Sequence, residues 1–347
     1  MSFRLGGTDG VSVEATKWSA SLRRLGWTVR TLAGEGEADR LVPGLGMTPT
    51  GTVSAAELAE ILAAEFAAVD LVVVENVCSL PLNPVAARAV SQSLSGRPAI
   101  LHHHDLAWQR PRFAGEGYVP PDDPHWRHVT INDLSRAELE ERGIPAVTVR
   151  NAFAIDAPAG DRAATRAALE LKPDALLLVQ PTRAIARKNI PGAVALAEAL
   201  GAIYWLVGPA EEGYDEELAA IVASSSVPVI HGPGGTAARD EVAHAYAAAD
   251  VIVLPSSWEG FGNPVVESAI HRRPLAIGRY PVAEELARYG FRWLAADDPV
   301  GVRNWLDRPP AGWLEHNHRV AERWFSLARL DEALGTLLRD VMAGPRS

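Results

Sequence analysis

Cysteine is nearly absent from this chain. Its 347 residues contain one, Cys78, which excludes an intramolecular disulfide and fits a reducing compartment. No uncharged apolar run approaches the roughly 20 residues that span a bilayer. The opening "MSFRLGGTDG" lacks the apolar core of a signal peptide, so a cytoplasmic protein is expected. An excess of positive charge is also missing: 33 Lys and Arg stand against 43 Asp and Glu, a formal net charge of −10. A general nucleic-acid binder shows a basic stripe instead, so no nucleic-acid partner is expected. There is no Gly-x-Ser-x-Gly elbow, no P-loop lysine motif and no zinc-type Cys/His spacing, so no metal ligand is assigned. Cys78 follows the apolar "DLVVVEN" and reads as a buried structural thiol.

What is present is ordinary globular composition, 48% hydrophobic and 22% charged, in a chain long enough for two domains. Strand-like runs alternate with alanine-rich helical stretches. In the first half the strands are expected at 70–76, 98–104, 128–133 and 146–151, with helices over 13–26, 54–69 and 84–94. A second series at 175–180, 202–208, 227–232, 250–255 and 274–278 follows the loop "NAFAIDAPAG". This pattern predicts an α/β protein of two doubly wound, Rossmann-like domains facing across a cleft. The domains are expected over 1–152 and 153–312, with two amphipathic helices in 313–347 that pack back on the first. Ligands of such sheets bind beyond the carboxyl ends of the strands, so the functional residues belong in the loops that follow them.

The densest of these loops is "VIVLPSSWEGFGNPVVES". A buried strand ends at Pro255, Gly260 and Gly262 leave the backbone open, and Asn263-Pro264 reads as an N-cap followed by proline at the first helical position. Unpaired N–H groups and the positive helix end favour an anion, while Glu259 and Glu267 offer fixed acceptors for hydroxyls. A ligand carrying phosphates and hydroxyls, such as a nucleotide sugar, suits both. In "PTRAIARKNIPGA", Arg183 and Lys188 precede another helix and suit a diphosphate; Arg187 is left outside the set. Gly6, Gly7 and Gly10 form a loop before the first helix, a weak signal that a tight turn also explains. His102, His103 and His104 end a strand, and alternation turns His103 away from its neighbours, so one histidine rather than three is expected at the site. Asp122-Asp123, flanked by prolines, reads as a turn.

Taken together, these residues resemble the retaining glycosyltransferases of family four, which have the GT-B fold. The match is strongest over "AAADVIVLPSSWEGFGNPVVESAIHRRPLAIGRYPVAEEL", which is similar to that family's donor-binding core, with two glutamates separated by seven residues. "RAIARK", "LHHHD" and "VRNAF" resemble further family motifs in the same order. The resemblance implies a metal-independent hexosyltransferase that uses a nucleoside-diphosphate sugar as donor, with no separate cofactor. It implies that Glu267 holds the ribose hydroxyls, Glu259 the hydroxyls of the transferred sugar, and Arg183 and Lys188 the diphosphate. Backbone amides around Phe261, Gly262 and Asn263 would orient sugar and phosphate, His104 would be the histidine near the sugar, and Gly7 would let the first loop approach the diphosphate. The acceptor would be a small molecule, a glycan or a lipid-linked acceptor. "QPTR" departs from the family, which usually has glycine before the arginine.

Other readings stay open at this point: an epimerase or phosphorylase of the same fold, or a non-catalytic partner that binds a nucleotide sugar or glycan. "KWSASLRRLGW" pairs Trp18 and Trp27 with Lys17, Arg23 and Arg24, which suits either a peripheral contact with an anionic membrane or tryptophans packed inward. The proline-rich stretch 108–128 is expected to form an acceptor-side loop or lid.

Overall fold

The computed structural model describes residues 1–346 apart from 8, 49, 50, 52 and 234–240. The chain divides into two units, one of Met1–Ala152 with Leu327–Ser347, the other of Phe153–Ser326.

The first unit holds strands β1 (Ser2–Leu5), β2 (Leu32–Gly36), β3 (Arg40–Leu41), β4 (Val72–Glu75), β5 (Ala99–His103), β6 (Trp126–Thr130) and β7 (Ala146–Thr148). They form one parallel sheet in the order β3-β2-β1-β4-β5-β6-β7. Among the described residues, four α-helices lie between these strands: α1 (Gly10–Arg24), α2 (Ala55–Phe66), α3 (Pro84–Leu94) and α4 (Asp133–Glu140). One sheet face packs on α2 and α3 through Leu58, Leu62, Phe66, Val90 and Leu94. The other packs on α1 and a C-terminal helix through Trp18, Leu22, Leu330, Leu334 and Leu337. Cover on both faces explains why the strands read as apolar runs rather than alternating ones.

The second unit holds β8 (Leu177–Gln180), β9 (Ile203–Leu206), β10 (Val229–His231), β11 (Val251–Leu254), β12 (Leu275–Ile277) and β13 (Leu294–Ala295). Their order is β10-β9-β8-β11-β12-β13, again parallel. Its helices are α5 (Arg162–Ala168), α6 (Ile190–Leu200), α7 (Asp215–Ser224), α8 (Glu241–Ala248), α9 (Asn263–Ile270), α10 (Pro281–Ala287), α11 (Pro299–Asp307) and α12 (Trp313–Phe325).

The two C-terminal helices separate. Helix α12 packs on α9 in the second unit, whereas α13 (Leu327–Met342) packs on α1 in the first. Extended Ser326 parts them, and the Phe153 N–H donates to the Phe325 carbonyl at 2.7 Å.

In both sheets the strand order reverses at one point, between β1 and β4 in the first and between β8 and β11 in the second. Loops leaving such a reversal diverge and open a crevice at the carboxyl ends, the usual ligand position in this class of sheet.

Candidate active site

The residues singled out by sequence collect at these two reversals. After β8 the chain makes a short 3₁₀ turn over Ala186–Lys188, then Asn189 in the left-handed region (φ 50°) caps α6 by accepting from the Gly192 N–H at 3.2 Å. Asn189 Nδ2 also donates to the Pro255 carbonyl at 3.1 Å, and the Ser257 N–H donates to the Arg187 carbonyl at 3.0 Å. The loops after β8 and β11 are thereby bound to each other.

Between them lies a compact ionic knot. Lys188 Nζ donates to Glu259 Oε1 at 2.5 Å, Arg187 to Oε2 at 2.9 Å, and Ser256 Oγ to Oε1 at 2.6 Å. Lys188 is 7% exposed and Glu259 5%. Burial by itself raises the Glu259 pKa, but the charges of Lys188 and Arg187 with the hydrogen bonds from Lys188 and Ser256 more than offset it, leaving it below the ordinary range. Burial also lowers the Lys188 pKa, with Arg187 and Arg183 adding to that and Glu259 opposing it. Two cations on one carboxylate leave one net positive charge, an electrostatic demand that an anion can meet. Arg187 thus belongs to the knot, a correction to its exclusion on sequence. Consecutive cations on a 3₁₀ turn both reach one carboxylate. Arg183 is outside it and pairs with Glu211 at 2.6 Å in a half-exposed position.

Gln180, in the stretch that departs from the family pattern, ends β8 and donates to the Lys188 carbonyl at 3.1 Å while accepting from the Tyr204 hydroxyl at 2.8 Å. It supports the cationic loop from beneath.

Helix α9 begins at Asn263, one residue earlier than expected: Gly262 takes the cap position at φ 89° and no side chain caps it. A Cβ at Gly262 would meet the Tyr280 hydroxyl at 2.4 Å, so both the backbone angle and the close approach require glycine. That hydroxyl is buried and makes no hydrogen bond among the described residues. The Phe261 ring packs toward Phe153 and Phe325, at 6.3 and 5.9 Å between centroids, so only its backbone is left to serve a ligand. Half-buried Glu267 accepts from the Tyr246 hydroxyl at 2.8 Å.

In the first unit, Gly6 (φ 80°) and Gly7 follow β1, and Asp9 caps α1 by accepting from the Ser12 N–H at 3.1 Å. The Asp9 carboxylate therefore takes the place at this helix end that an anion would prefer. Strand alternation holds for the histidines. His102 and His104 both turn to Glu75, at 2.8 and 2.9 Å from the same Oε2. His103 turns the other way, with Nδ1 2.6 Å from Ser79 Oγ and Nε2 2.9 Å from His128 Nδ1; His128 Nε2 lies 3.0 Å from Asp122. An ionised Asp122 only accepts, so with neutral imidazoles His128 donates to it, His103 donates to His128, and Ser79 donates to His103.

This arrangement fixes an acid sensitivity. Burial lowers the pKa values of His102, His103 and His128, so these imidazoles stay neutral while the unfolded chain takes up protons below about pH 6.5. Their stabilising contribution is lost as pH falls below that value. His104 and Glu14, both raised, act in the opposite sense. His271, which burial lowers to about 4, adds to the loss, and at lower pH so do the depressed carboxyls of Glu75 and Asp122. The urea midpoint followed by circular dichroism is expected to be lower at pH 5.5 than at pH 7.5, and an equal or higher midpoint would contradict the assignment.

The model for "Glycosyl transferases group 1" matches residues 188–302, a span that opens on Lys188 and includes Glu259 and Glu267. The chain is a glycosyltransferase. This glycosyltransferase is similar to the mannosylglucosylglycerate synthase of Thermotoga maritima, 25% identical over 328 residues that take in 76% of this chain and 75% of the relative. The enzyme of that name from Petrotoga mobilis is 26% identical over 365 residues, 83% of this chain and 84% of the relative. Among solved structures, Anabaena Alr3699/HepE in complex with UDP-glucose shares the fold at a TM-score of 0.74 and 16% identity, covering 97% of this chain and 98% of that one. Sucrose-phosphate synthase from Thermosynechococcus elongatus shares it at 0.76 and 16%, covering 98% and 95%. The transferase therefore has the GT-B fold.

Packing fixes two further segments of the transferase. The stretch 108–128 is anchored rather than free: Trp108 and Gln109 donate to Glu138 at 2.8 and 2.6 Å, Tyr118 donates to the Cys78 carbonyl at 3.1 Å, and Phe113 packs with Leu80. In α1, Trp18 is buried and stacked 4.1 Å from the His102 ring, and Arg24 pairs with Asp331 at 2.7 Å. The inward-packed reading of Trp18 holds. Among the described residues no helix is long and apolar enough to cross a membrane. Burial pushes the Cys78 thiol up to about 12, which leaves it inert.

Proposed function

We propose that the transferase moves a hexose from a nucleoside-diphosphate sugar to an acceptor hydroxyl, with retention of anomeric configuration and without a metal. The observation that carries this is the buried knot of Arg187, Lys188, Glu259 and Ser256 at the sheet reversal. Cleaving the bond from the anomeric carbon to the diphosphate oxygen builds negative charge on the leaving group, and fixed cations already in place stabilise it without reorganisation. Arg183 adds a further cation by exchanging Glu211 for phosphate. Glu267 takes the ribose hydroxyls, the backbone at Phe261, Gly262 and Asn263 takes phosphate and sugar, and Glu259 meets the sugar hydroxyls. Gly7 lets the first loop approach the diphosphate, and His104 is the histidine that meets the substrate.

As the new bond forms from the acceptor oxygen to the anomeric carbon, the acceptor proton passes to the departing diphosphate, so no separate base is needed. A small polyhydroxylated glycoside is the acceptor class that the relatives' names support. The test is proton NMR of the product formed with EDTA present. Retained configuration at undiminished rate is expected; inversion would overturn the mechanism, and loss of activity in EDTA would overturn the metal-free reading.

A further inference from the structure

We infer that Glu75 is the positioning residue for His104: by accepting from Nε2–H it fixes the imidazole's orientation and tautomer and leaves Nδ1 as the nitrogen that meets the substrate. This rests on the proposed role of His104.

The geometry follows from sheet register. Glu75 ends β4 directly opposite His102 on β5, and alternation brings His104 to the same side two residues on. One carboxylate oxygen then lies within hydrogen-bond distance of both rings. The backbone is held as firmly. Asn76, in the left-handed region at φ 63°, accepts through Oδ1 from the N–H groups of His104 and Asp105 at 3.0 and 3.3 Å, and its own N–H donates to the His102 carbonyl at 2.9 Å. The Trp18 ring against His102 closes the other side. His104 Nδ1 makes no hydrogen bond among the described residues, so the nitrogen opposite the anchored one is the one open to a ligand.

The surrounding charge favours the imidazolium. Glu75 faces it from β4, Glu14 from α1 with Lys17 bound to that carboxylate at 2.5 Å, and Asp105 from the following turn, paired with Arg110 at 2.7 Å. His102 and His103 precede it at the end of β5, and the Met1 ammonium, donating to the Val73 carbonyl at 2.6 Å, interacts with the charge of Glu75. Burial pulls the His104 pKa down, but the hydrogen bond and charge of Glu75, with Glu14 and Asp105, more than offset it. The outward Nδ1 then carries a proton and donates, which suits a hydroxyl or phosphate oxygen rather than a cation.

The experiment is a pH titration of the full chain labelled with ¹⁵N-histidine, reading ring-nitrogen shifts by long-range ¹H–¹⁵N correlation and assigning His104 by its loss in His104→Ala. In the native protein His104 is expected as the Nε2–H tautomer above its pKa, with that pKa above about 6.5. In Glu75→Gln the pKa is expected to fall by about one unit or more. A purely structural role for Glu75 would lower thermal stability and leave the His104 titration where it was, which overturns the inference. If Glu75→Gln does not fold, the native tautomer decides alone: Nδ1–H in the neutral ring contradicts the assignment. Turnover of UDP-glucose and GDP-mannose by His104→Ala separates the two readings. Full activity there refutes the catalytic role of His104 while leaving the hydrogen-bonded pair intact.

Discussion

Lys188→Ala is expected to lower kcat by about 10²- to 10³-fold, the usual loss when one fixed donor to a developing negative charge is removed. The effect belongs in kcat more than in KM, because the diphosphate gains charge only as the anomeric bond breaks. Stability is expected to suffer less than for a simple buried pair. Glu259 keeps Arg187 at 2.9 Å and Ser256 at 2.6 Å, so its carboxylate is not left without partners. Glu259→Gln is the informative companion, since it leaves two adjacent cations, Arg187 and buried Lys188, facing a neutral amide. The double variant measures how far the two residues act as one unit, and a cycle whose effects on kcat simply add would count against a shared role.

Glu267→Ala is expected to weaken nucleotide-sugar binding about a hundredfold or more. A carboxylate accepting from two ribose hydroxyls makes charged hydrogen bonds worth roughly 1.5–3 kcal/mol each. The residue is well placed for it: five positions into α9, it is held by the Tyr246 hydroxyl at 2.8 Å. Tyr246→Phe separates aim from contact. It leaves the carboxylate but removes the hydrogen bond that orients it, so its binding loss is expected to be much smaller. Equal losses in the two variants would show that Glu267 serves Tyr246 rather than the ligand.

Local pattern carried much of this protein. The apolar runs that became β4, β5, β8, β9 and β11 were legible because a strand covered on both faces must be hydrophobic throughout. The two glutamates and the glycines between them were legible because each has a chemical reason to stand where it does. What escaped depended on the third dimension. Strand β2, "LAGEG", has no β-branched residue and is a strand because β1 pairs with it. The partnership of Glu75 with two histidines arises from the register of β4 with β5, although a carboxylate ending "VVVE" was a visible signal. Arg187 was missed because spacing alone does not show that a 3₁₀ turn aims neighbouring cations at one acceptor. The parting of α12 from α13 at Ser326 is set by packing against α9 and α1, two helices far away in sequence.

Calorimetric titration of the purified protein and of Glu267→Ala with UDP-, GDP- and ADP-sugars, without added metal, tests the central claim most directly. Micromolar binding of one donor by the native chain, lost in the variant, is the predicted result and identifies the base. Absence of binding by every donor in a folded protein, or equal binding by the variant, would contradict the placing of the donor site at Glu267 and the cationic knot.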